Sequence, residues 1–97
     1  MVLETLLERN ESYEGASFSL ALIAEALGDD IAAEAAYRDT IRKRSAFVPA
    51  YLNLAALLER LDRAEDALEI LRSVLELDLD EEQSRTIEDA IAALKPG

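Results

Sequence analysis

Apolar side chains recur at three- and four-residue intervals along nearly the whole chain, the period of an amphipathic helix. No segment alternates apolar and polar residues for long, so no sheet is expected. Ala, Leu, Glu and Arg fill the periodic stretches, and all four are strong helix formers. The breakers are few, with Gly at 15, 28 and 97 and Pro at 49 and 96. Together with Asn, Asp and Ser clusters they divide the chain into six predicted helices.

The first predicted helix, Val2 to Arg9, carries Val2, Leu3, Leu6 and Leu7 on one face, and Ser12 is placed to cap the next. The second, over about 14–27, presents Phe18, Leu20, Ile23, Ala24 and Leu27. Gly28-Asp29-Asp30 makes a turn in which Asp29 or Asp30 caps a third helix over about 30–44, with Ile31, Ala33, Ala36, Tyr37, Thr40 and Ile41 as its apolar positions. Pro49 fits the first turn of a fourth helix over about 48–61, because its missing N–H has no partner there anyway. Asp62 with Glu65, and Asp80 with Gln83, have capping-box spacing. They open a fifth helix running to about Leu77 and a sixth over about 81–94. Short helices joined by short turns suit either antiparallel hairpins or a small irregular bundle.

A shift of 34 residues separates these two arrangements. Laying 14–47 over 48–81 aligns the turns and gives seven identities: Ala16/Ala50, Leu20/Leu54, Ala21/Ala55, Glu25/Glu59, Leu27/Leu61, Ala33/Ala67 and Arg38/Arg72. Most of these fall where the two helices of a hairpin would touch. Ala21, Ala33, Ala55 and Ala67 would let paired helices approach closely, with Leu20, Leu54, Tyr37 and Leu71 filling the space between them.

The period and its small residues resemble the tetratricopeptide repeat. The second copy is the better match, with Tyr51 in the Trp slot, Leu54-Ala55 for Leu-Gly, Leu58 for Tyr, Ala67 for Ala and Leu71 for Phe. The first copy places Ser17 in the Trp slot and Ala24 in the Tyr slot, and Ser45 and Leu79 stand where the family has Pro. The resemblance implies an all-α fold of antiparallel hairpins stacked as a short right-handed superhelix of about six helices. One domain over 1–97 is then expected: 2–9 as a partial repeat helix, 14–47 and 48–81 as full repeats, and 82–95 as a capping helix.

Composition narrows the chemistry. The 97 residues include 21 acidic and 10 basic side chains, a net charge of −11, with no Cys, His or Trp. Disulfides, Cys- or His-based metal sites and any His base or Cys nucleophile are thereby excluded. So negative a chain repels phosphate backbones and anionic membrane surfaces, so neither nucleic acid nor membrane is an expected partner. Glu4 and Glu8 interrupt the first residues, which therefore do not read as a secretory leader. No apolar run approaches the roughly 18 residues of a membrane span, and a cytoplasmic location is expected.

Carboxylate pairs such as Glu65/Asp66 and Glu88/Asp89 read as solvated helix faces, and no Gly-rich phosphate loop is present. Asp78, Asp80 and Glu82 resemble the start of a calcium loop but lack its Gly, and Asp89 stands where the bidentate Glu belongs. Arg38, Arg42, Lys43 and Arg44 form the one basic cluster; helix-end charge and the pairs Glu34–Arg38 and Asp39–Lys43 account for it locally. No catalytic residue, metal or cofactor is expected.

The resemblance further implies a non-catalytic protein-interaction module whose first helices line a concave groove for a partner's peptide or helix. In this chain that face would show Gly15, Phe18, Ser19, Leu22 and Glu25, then Leu52, Asn53, Ala56, Glu59 and Arg60, then Gln83, Thr86 and Ile87. The partner-binding set is Phe18, Ser19, Leu22, Leu52, Asn53, Ala56, Glu59 and Arg60. Asn53 matches an Asn that some relatives use in clamping a carboxylate, but the accompanying cations are missing here. A self-associating structural protein, for example a homodimer, is the alternative.

The acids are spread through both halves, with 9 acidic and 5 basic residues in 1–47 and 12 and 5 in 48–97. Of the ten basic residues only Lys43 and Lys95 are Lys. This is the pattern of a surface adapted to high salt, and a halophilic source is our hypothesis for it. The melting temperature should then climb as KCl approaches molar levels, and a flat response would reject the idea.

Overall fold

A computed structural model describes residues 15–94; the helix expected over 2–9 and the Ser12 cap lie outside them. The described residues form five helices and no strand: α1 (Ala16–Ala26), α2 (Asp30–Lys43), α3 (Val48–Arg60), α4 (Ala64–Leu75) and α5 (Glu81–Leu94). The all-helical expectation holds, and helix starts and ends fall within one or two residues of those read from the sequence. Two compact units divide between Ser45 and Ala46.

The first unit contains the hairpin of α1 and α2. Ala21 and Ala33 are fully buried, as the close-packing role of small residues requires. Tyr37 is fully buried as well, and its ring lies 6.0 Å from that of Phe18 at 55°. Two side-chain hydrogen bonds cross the hairpin. Ser17 Oγ donates to Asp39, and Tyr37 Oη donates to Glu25 Oε1. Ser17 is thus a buried hydroxyl with a carboxylate acceptor. Leu20 departs from expectation. It is 38% exposed and does not fill the hairpin, because Tyr37 and the alanines already do. Ile23, Leu27 and Ile31 are exposed too.

In the second unit α3 packs on α4, and α5 lies against α4 and touches α3. The buried side chains among the described residues are Val48, Ala50, Tyr51, Leu54, Ala55, Leu57 and Leu58 of α3, Ala67, Leu71 and Val74 of α4, and Ile87 of α5. Their spacing on each helix follows the three- and four-residue period.

The helix ends repeat as well. The N–H of Asp29 bonds the Ala24 carbonyl and that of Gly28 bonds Glu25. Thirty-four residues on, the N–H of Arg63 bonds Leu58 and that of Asp62 bonds Glu59. Both are Schellman ends, and both need a left-handed residue, supplied by Gly28 (φ 80°) and Asp62 (φ 65°). This overturns the expected Asp62–Glu65 capping box. Asp62 terminates α3 and cannot also cap α4, which instead begins after Arg63, whose Nε donates to Asp66 Oδ2 at 2.9 Å. The expected caps at Asp29 and Asp80 are present: Asp29 accepts from the Ala32 N–H at 3.1 Å. Asp80 and Gln83 bond each other's backbone N–H reciprocally, at 2.7 and 3.2 Å.

Candidate functional site

Pro49 stands in the first turn of α3 and starts it. One side of α3 then goes into the hairpin with α4 through Leu54 and Leu58. Tyr51 is buried beside them in sequence order, and desolvation pushes its phenol above the usual 10.0, so it stays neutral at physiological pH. Another side of α3 remains accessible and carries Leu52, Ala56 and Glu59.

These three residues line a hollow of about 150 Å³ together with Ala55, Leu71 of α4, and Ala90, Ala93 and Leu94 of α5. Seven of its eight lining residues are Ala or Leu, six of them on α3 and α5, and Glu59 supplies its charge. A small-molecule pocket usually offers roughly 300–1,000 Å³. The hollow is therefore the size of one aliphatic side chain, too small for a nucleotide or similar cofactor. A larger depression of about 460 Å³ runs along α4, lined by Glu65, Asp66, Glu69, Arg72, Ser73 and Glu76. All six come from one helix and its end, so nothing faces them across it.

The other predicted positions fall as follows. Asn53 is half-buried, and Arg60 is exposed; neither is among the residues lining the hollow. Phe18, Ser19 and Leu22 belong to the first unit, with Phe18 half-buried against Tyr37 and the other two exposed. Glu25 is half-buried and engaged by Tyr37. On α5, Ile87 is fully buried, so it serves the core and not a groove; Gln83 is held in the cap with Asp80, and Thr86 is exposed. The hollow uses Ala90, Ala93 and Leu94 instead, which the 34-residue alignment does not place on the groove. Their three- and four-residue spacing was the available signal.

Arg38, Arg42 and Lys43 of the basic cluster are paired within α2. Arg38 meets Glu34 at 3.0 Å, Lys43 meets Asp39 at 3.2 Å, and Arg42 also meets Asp39. Asp80 is spent on its cap. Among the described residues no group of three or more acidic side chains is arranged to hold a metal ion. No described helix is long and apolar enough to cross a membrane.

Helical hairpins with buried alanines at a 34-residue spacing, ended by the same backbone motif, define a helical-repeat protein. The particular family follows from comparison: residues 48–81 match the family model of the tetratricopeptide repeat, and this stretch is such a repeat. No curated protein matches the chain significantly. Tetratricopeptide repeats generally mediate contacts between proteins and are typically non-catalytic scaffolds.

Proposed function

We propose that the chain is a non-catalytic module that holds a peptide or helix of a partner protein on the face of α3, with Leu52, Asn53, Ala56, Glu59 and Arg60 as contact residues. The observation that carries this is the one-side-chain hollow between α3 and α5, an apolar socket with a charged lip. An apolar anchor from the partner would lose its water contact there. Its cationic neighbours would meet Glu59 and a stretch, 48–97, with 12 acidic and 5 basic residues. Phe18, Ser19 and Leu22 are proposed as a further contact set on the first unit.

Isothermal titration with amphipathic helical peptides, each carrying one Leu anchor and either basic or acidic flanks, tests the reading. The basic series should bind, and Leu52→Glu should weaken it at least tenfold, about 1.4 kcal/mol. Leu22→Glu reads the first-unit set separately. Affinity that is unchanged by Leu52→Glu rejects the hollow as the socket.

A further inference from the structure

The 34-residue repeat supplies an internal template for what the hollow accepts. Three of its walls, Leu52, Glu59 and Leu71, stand 34 residues after Phe18, Glu25 and Tyr37. In the first hairpin those three positions form a filled cluster. The Phe18 and Tyr37 rings lie 6.0 Å apart, and the Tyr37 hydroxyl donates to Glu25 Oε1. In the second hairpin leucine replaces both rings, while the glutamate is kept. Leucine is shorter than an aromatic ring and carries no hydroxyl. Glu25 is half-buried, whereas Glu59 is exposed, and no described residue donates a hydrogen bond to its carboxylate. The second hairpin therefore retains the acceptor and lacks the aromatic donor.

We propose that the hollow is a socket for a tyrosine side chain of the partner. Its ring would lie against Leu52, Ala56, Ala90 and Ala93, and its hydroxyl would donate to Glu59. This rests on the partner-binding reading above and specifies its anchor. Size agrees, because an apolar cavity of roughly 150 Å³ admits a benzene ring, and the hollow is about 150 Å³. Chemistry agrees as well. Tyrosine has an apolar body with one polar atom at its tip, and the hollow has apolar walls with one polar side chain at its lip. A leucine anchor would meet the walls but leave Glu59 to water. An arginine anchor would pair with Glu59 but bring five N–H donors to a hollow with a single polar side chain.

The test uses the full chain and the variants Glu59→Leu and Leu52→Glu. The titrated peptides share one helical sequence with basic flanks and differ only at the anchor, which is Tyr, Phe, Leu or Arg. Glu59 is exposed, so Glu59→Leu removes the acceptor without touching the core, and far-ultraviolet circular dichroism checks that both variants keep their helices. The wild type should bind the Tyr peptide about fivefold more tightly than the Phe peptide, the effect of one hydrogen bond. Glu59→Leu should bring the two affinities together. Nuclear magnetic resonance with p-cresol reads the socket without a peptide. The methyl signals of Ala56, Ala90 and Ala93 should shift, while those of Ala21 and Ala33 stay, because Tyr37 already fills their hairpin. A Phe peptide that binds as well as the Tyr peptide, a Tyr preference that survives Glu59→Leu, or p-cresol that leaves the three methyl signals in place would overturn the proposal. A Leu or Arg peptide that binds tightest and is weakened by Leu52→Glu would overturn it too, and would leave the partner-binding reading standing. No binding by any peptide, or binding that Leu52→Glu does not change, would sink both.

Discussion

Leu54→Ala should lower the unfolding free energy by about 2–5 kcal/mol, while Leu20→Ala should cost less than about 1 kcal/mol. The two leucines are equivalent in the 34-residue repeat, and sequence offers no reason to rank them. Their surroundings differ. Leu54 is fully buried, so truncation removes its transfer energy and leaves a cavity. Leu20 is 38% exposed, and water fills whatever space its loss opens. For a chain this size, with about 5–15 kcal/mol in total, the first change alone can approach global unfolding. Urea titration of the two variants beside the wild type measures the gap. Equal losses would mean that Leu20 is packed like its counterpart.

Tyr37→Ala should be the most damaging single change in the first unit, at about 3–5 kcal/mol. Among its described residues the unit's other buried side chains are small: Ser17, Ala21, Ala24, Ala33 and Thr40. Tyr37 is the one large side chain among them, so no neighbour has the volume to collapse into its place. Tyr37→Phe separates the ring from the hydroxyl. It retains the packing against Phe18 but removes the donor to Glu25, for an expected cost of about 1 kcal/mol. Thermal unfolding of the two variants and of Phe18→Ala/Tyr37→Phe closes the comparison. A Tyr37→Phe loss as large as that of Tyr37→Ala would assign the stability to the hydroxyl bond and refute the packing account.

Much of the candidate site was legible beforehand, but unevenly. Leu52, Ala56 and Glu59 follow from helical spacing once Leu54 and Leu58 are assigned to the hairpin, since the remaining side of α3 must face elsewhere. The opposite wall was misread. Ile87 is expected on the groove because it stands 34 residues after Asn53, yet it is fully buried. A periodic pattern says which residues share a face but not the rotation at which that face meets its neighbour. The packing of α5 on α4 sets that rotation, and it brings Ala90, Ala93 and Leu94 to the hollow.

What the sequence determined by itself is the local and the periodic: helices, the 34-residue repeat, the buried alanines, and the caps at Asp29 and Asp80. These depend on interactions spanning a few residues or on spacing along one helix, and both are written directly in residue order. Tertiary structure alone decided that Asp62 ends one helix instead of starting the next, because its left-handed backbone is held by bonds reaching back to Leu58 and Glu59. It alone ranked Leu54 above Leu20 and left Ile23 and Leu27 exposed. Burial belongs to the space between helices, and two identical residues at repeat positions share a pattern without sharing their neighbours.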